Sequence, residues 1–263
     1  MPSFVWGRDP QEAFEEPYEY DGQAQFAREA ETLFARLYRL LNDDSHSFTI
    51  DDRTADKAIW LLAMDTLDSL RDCLSALARK NHRVAGKLFR DVRETMDLAA
   101  YFAGDDPKAR SSLKRWYLNE VIAHSEYRDY VERTQGEAEK EDLKRHYSSL
   151  SHFTHRTYRV ILAGYLRARG DRLAHDGSAE LYRENPEHTL VLPQTISAYY
   201  AALSNVTLEF LAVLPVLGLV TSEAIREAFA NSVESEFVPR RFMPARWLAE
   251  RMRESSGKSG PSS

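Results

Sequence analysis

The chain has 263 residues, 43% hydrophobic and 29% charged, which is enough to bury one large core. A net charge of -6 excludes nucleic-acid binding through overall basicity, so any such role must rest on a local patch. The single cysteine, Cys73, excludes a disulfide framework within the chain, and only 11 glycines and 10 prolines favour long helices over many short strands.

Residues 1–20 are acidic, dotted with aromatics and without period, and read as an irregular arm with no signal-peptide pattern. From Asp21, Phe26, Ala30, Leu33, Leu37 and Leu41 share one helical face, and "DDSHS" closes that helix. A second helix opens on Thr54 as N-cap and repeats Ile59, Leu62, Thr66, Leu70, Cys73 and Leu77 at spacings of three or four. Cys73 sits in the apolar run "LRDCLSALA" and reads as a small buried hydrophobe. A third helix carries Leu88, Val92, Met96 and Ala99, with Gly104 placed to end it. "DDP" at 105–107 has the acidic pair and proline of a helix start.

The stretch from Gly136 reads as helix, broken near Ser148 and stopped by Gly170. Residues 171–193 are poorly periodic, with a turn expected at "ENPEH" and a short extended piece at "TLVL". Residues 196–220 are apolar enough in length to span a bilayer, but Asn205, Glu209 and Pro215 interrupt them and no Lys/Arg cluster flanks them. They read as a buried helix at the centre of a bundle, so no membrane association is expected. Thr221 or Ser222 then caps another helix, and a basic tail runs out in "SGPSS", which resembles a linker or cloning remnant as much as native sequence.

These elements predict an all-α protein: a single-domain antiparallel helical bundle over 21–238, preceded by the arm and followed at 239–263 by a short basic helix and flexible tail. A soluble, cytoplasmic protein is the expectation. No cofactor is expected: there is no Glu-x-x-His, no His-Glu-x-x-His, no Cys/His zinc spacing, no phosphate-binding glycine loop and no Gly-x-Ser-x-Gly elbow. The nearest pair to a metal motif, Glu120 and His124, is one residue too long. Asp65, Asp68 and Asp72 form an acidic stripe that could hold a cation; solvation or pairing with Arg is its commoner fate.

The stretch "KRHYSSLSHFTHRTYRV", residues 144–160, is unusually rich in hydrogen-bonding groups. On a helix, Tyr147, Ser151, His155 and Tyr158 form one stripe. If that face is buried it needs partners, at about 1–3 kcal/mol for each polar group left unpaired. Arg90 and Glu94, one turn apart on the third helix, are the candidates.

Arg90 and Glu94, followed by Tyr147, Leu150, Ser151 and His155, make the patterns R-x-x-x-E and Y-x-x-L-S-x-x-x-H. They resemble those of a group of uncharacterised bacterial all-helical proteins placed near the HEPN-type families. The resemblance covers roughly residues 55–235 and implies an all-α bundle, but no particular reaction. In HEPN-type ribonucleases an Arg that holds phosphate precedes, by four to six residues, a His that works as acid or base on the ribose hydroxyl, without metal. Arg145 and His152 fit that spacing. So do Arg39 with His46, Arg169 with His175, and Arg183 with His188, and about two such matches arise by chance. A nuclease of this kind would need a homodimer to build a basic cleft.

Two function classes follow. One is a non-catalytic regulatory or interaction module, with the Tyr/Ser/His/Arg/Glu network fixing helix register. The other is a metal-independent ribonuclease, or a binder of a small polar ligand, working through His155 or His152.

Overall fold

The structure is a computed structural model that describes residues 19–43, 46–79, 81–138, 140, 141, 144, 145, 148, 166–168, 172–174 and 191–225. Its helices are α1 (Glu19–Leu41), α2 (Ala55–Ala78), α3 (His82–Ala103), α4 (Pro107–Tyr117), α5 (His124–Gln135) and α6 (Val191–Val213). The all-α bundle read from the sequence is what these elements build.

The first helix starts at Glu19 and buries Ala30, Leu33, Phe34, Leu37 and Leu41. At α2 the cap is as expected: the Thr54 hydroxyl accepts from the Lys57 amide at 3.3 Å. Its apolar stripe is fully used, with Ile59, Leu62, Thr66, Leu70, Cys73 and Leu77 all buried. From α2 the chain passes into α3. The two helices pair in opposite directions: the Thr95 hydroxyl reaches Asp65, while the Cys73 thiol meets the Ala85 carbonyl at 3.7 Å. Leu67, Leu70, Leu77, Phe89 and Val92 are wholly removed from water in this hairpin. Each such side chain contributes about 1.5–3 kcal/mol.

Helix α6 packs against α1, α2 and α3. It runs in the same sense as α3: the Tyr199 ring lies on His82 and Phe89, and farther along Arg93 Nη1 donates to Glu209 Oε2 at 2.6 Å. Contact with three helices explains its apolar composition. Tyr199, Tyr200, Leu203, Val206, Phe210, Leu211 and Leu214 are buried, whereas Asn205 faces solvent. The apolar segment leaves the helix after Val213, and the left-handed Gly218 (φ 73°) helps turn the chain. Thr221 then caps the next turn, accepting from the Ala224 amide at 3.0 Å. Among the described residues no helix is long and apolar enough to cross a membrane.

Two expectations are corrected. The helix read through to Gly170 gives way to β1 (Leu166–Ala168), paired antiparallel with β2 (Arg172–Ala174) through Arg167 opposite Leu173. Gly170, the expected helix stop, lies outside the described residues. Of the extended piece at "TLVL", Thr189 and Leu190 lie outside the described residues, and the second half fails, because Val191 and Leu192 belong to α6. Their β-branched and aliphatic character fits a buried helix as well as a strand.

A loop over 46–54 closes the bundle beside the α6 turn. The Lys57 ammonium, on a buried side chain, donates to the carbonyls of Thr49 (2.7 Å), Ile50 (2.7 Å) and Asp52 (3.0 Å). His46 Nε2 lies 2.7 Å from the Leu219 carbonyl, and Trp60 Nε1 donates to the Leu41 carbonyl at 2.6 Å.

Candidate functional site

Helix α3 turns its polar face toward α5 and α6, and the charged groups concentrate there. Arg90 Nε donates to Glu94 Oε1 at 2.6 Å, one helical turn away. The other oxygen, Glu94 Oε2, lies 3.3 Å from His124 Nε2. His124 is the first residue of α5, so this contact ties α5 to the middle of α3. A turn farther along, Arg93 bridges Asp97 (3.2 Å) and Glu209 of α6 (2.6 Å). Tyr127 packs edge-on to the His124 ring. Burial pushes its phenol up to about 12, reinforced by Glu94 and Asp97. Asp91 is also raised, by desolvation first and by Glu94 next.

A second polar cluster joins α4 to α5, which run antiparallel. The buried Ser112 hydroxyl donates to Glu126 Oε2 at 2.6 Å and lies 3.2 Å from the Tyr101 hydroxyl. Arg115 Nη1 donates to Glu126 Oε1 at 3.1 Å, and its Nε to Glu120 at 2.9 Å. Burial pushes the Glu126 carboxyl up, but the bonds from Ser112 and Arg115 outweigh it and hold the group below its ordinary value. At the other end of the pair, Arg133 meets Asp106, whose carboxyl is lowered first by the Lys108 amide and then by Arg133. Asp106 is also the N-cap of α4, with Pro107 behind it, as the "DDP" motif predicted.

Of the residues singled out in the sequence, Arg90 and Glu94 do come together, as an ion pair. Arg145 is exposed in a short helical piece. Tyr147, Ser151, His152, His155 and Tyr158 lie outside the described residues. The imidazole that meets Glu94 within the described residues is His124. In the sequence His124 stands out only through its failed metal spacing with Glu120. The two part company here, Glu120 going to Arg115 and His124 to Glu94. A usable signal existed: a lone His opening a tyrosine-bearing amphipathic helix.

Cys73 is buried as expected, and burial, with Asp72 and Asp91 next, raises its thiol far from reactivity. In the acidic stripe, Asp68 lies 3.7 Å from Arg71, and the Asp65 carboxyl is raised by desolvation and then by Asp68. Among the described residues no group of three or more His, Cys, Asp or Glu is placed to hold a metal ion. Around Glu94 a guanidinium, a carboxylate and an imidazole stand within bonding distance, and the imidazole joins α5 to α3. Compared with known proteins, the chain matches no family model, no curated sequence and no solved structure.

Proposed function

We propose that this protein is a non-catalytic interaction module, a helical scaffold whose polar clusters hold packing while its connections present a binding surface. One observation carries the reading: both oxygens of Glu94 are occupied by groups of the fold itself, Arg90 on one side and His124 on the other. A carboxylate held from two sides fixes helix positions. A cytoplasmic location and kinship with the bacterial HEPN-like helical group belong to the same reading.

The test pairs stability with chemistry. Glu94→Gln and His124→Ala should each lower the melting temperature, by about 1 kcal/mol of stability, because a charge-assisted bond between helices is lost. The full chain incubated with a fluorescent single-stranded RNA should leave it intact. RNA cleavage that disappears in His152→Ala or His155→Ala, with the melting temperature unchanged, would replace this reading with the metal-independent ribonuclease.

A further inference from the structure

The two ends of the α2–α3 hairpin carry opposite charge. From Cys73 to Arg90 the chain holds Arg79, Lys80, Arg83, Lys87 and Arg90 and no acidic residue. Arg90 is committed to Glu94, but Arg79, Arg83 and Lys87 are exposed around the turn between the helices, and Val84 beside them is 49% exposed. At the opposite end, residues 42–56 hold five Asp and one Arg. Asp43, Asp51 and Asp56 are exposed there, and Ile50 stands 92% in solvent. Each end thus has a net charge of one sign around an exposed aliphatic side chain; at the acidic end Arg53 is the exposed exception, and the Lys57 ammonium is taken up by loop carbonyls.

Within one molecule these ends never meet. Helix α2 has 24 residues, a span of about 36 Å, several times the screening length at physiological salt. Neither end can neutralise the other, and each keeps its own field. Complementary charge flanking an apolar centre is the pattern of an association surface. We propose that the partner is a second copy of this chain, bound head to tail, with the Arg79/Arg83/Lys87 end of one molecule on the Ile50/Asp51 end of the next. Such an interface is heterologous, so it propagates into a chain or closes into a ring. This rests on the interaction-module reading and names its partner.

The experiment is sedimentation of the full chain at low and high salt. Wild type should assemble with rising concentration at low salt and dissociate at least tenfold more readily at high salt. Two variants each blunt one end: Arg79→Ser with Arg83→Ser, and Ile50→Ser with Asp51→Ser. All four side chains are exposed, so circular dichroism should match wild type. Each variant alone should be monomeric. Mixed, they retain one good end each and should form a one-to-one dimer that grows no further. A wild type that stays monomeric at low salt overturns the head-to-tail contact and leaves the module reading standing. Assembly that survives in either variant, or a mixture that gives no dimer, also overturns it. A monomeric wild type that binds single-stranded RNA, with binding lost in the Arg79/Arg83 variant, would make the basic end a nucleic-acid surface instead.

Discussion

The α2–α3 hairpin and the α4–α5 hairpin sit side by side, yet they are held by different chemistry. Between α2 and α3 the joint is aliphatic and dry, with Leu67, Leu70, Leu77 and Val92 fully out of water. Between α4 and α5 the buried residues are few, Ala109, Ser112, Ile122 and Tyr127, and the joint is made mostly by Ser112, Arg115, Glu126, Asp106 and Arg133. Tyr101 stands at the border, wholly buried, its ring tilted against Tyr127 and edge-on to Tyr130 while its hydroxyl faces Ser112. Dispersion and water exclusion tolerate salt and acid; hydrogen-bonded charges do not. The first hairpin should therefore behave as the permanent core, and the second as the part that opens locally.

The largest expected effect lies in the dry hairpin. Phe89→Ala should cost about 3–5 kcal/mol in a denaturant melt, since the ring is fully buried and touches Tyr199 of α6 as well. A loss under 1 kcal/mol, about the size of a surface change, would erase the distinction between the hairpins. Next comes the seam where they meet. A Cβ on Gly104 would collide with the Tyr130 ring, so Gly104→Val should push α5 away and cost about 1–3 kcal/mol. Hydrogen exchange should rise in residues 107–135 and stay unchanged in 55–103. Gly104 has φ -78°, so its lack of a side chain, not its backbone freedom, is what the position uses.

Acid should separate the hairpins by sign. Asp106 and Glu126 have lowered folded pKa values, so their stabilisation is complete above the ordinary carboxylate value and is lost as pH falls through the lowered one. Asp65 and Asp91 are raised, so charging them weighs against the fold as pH climbs from the ordinary value to the raised one. Lowering the pH to about 3 should loosen α4–α5 while relieving the α2–α3 face. Exchange at acid pH that accelerates equally in both hairpins would contradict this. The smallest effect is expected from Arg115→Gln. Its bonds to Glu120 and Glu126 are partly exposed, so only a small drop in melting temperature should appear, shrinking with added salt.

The same contrast separates what could be read from the sequence from what could not. The dry hairpin was legible because burial writes a period: every residue from Ile59 to Leu77 picked for the core face of α2 is buried, and Thr54 caps it. The polar hairpin was only half legible. Asp106 and Pro107 announce α4, but the break between Tyr117 and His124 depends on Asn119 taking a positive φ of 67°, which no periodicity encodes. For the site, Arg90 and Glu94 are expected as partners of Tyr147, Ser151 and His155, which lie outside the described residues; within α3 the two pair with each other at i and i+4. The His124 contact was not legible, because it lies 30 residues away and follows from how α5 is laid on α3. Val191 and Leu192 misled for a simpler reason: a short aliphatic run fits strand and buried helix alike.

Lys57 shows how a loop can be made ready in advance. Its ammonium, gripped by three carbonyls, takes the place that a bound metal cation would fill in an ion-binding loop, except that here the cation is tethered to the first turn of α2. A tethered ion cannot be chelated away or diluted out. The loop is therefore shaped whenever α2 is folded, and Ile50, whose own carbonyl is one of the three, is held outward in the free chain. In the proposed head-to-tail contact, the ordering entropy that a mobile loop would lose on encounter is already lost in folding, so contacts made by Ile50 would go directly into affinity.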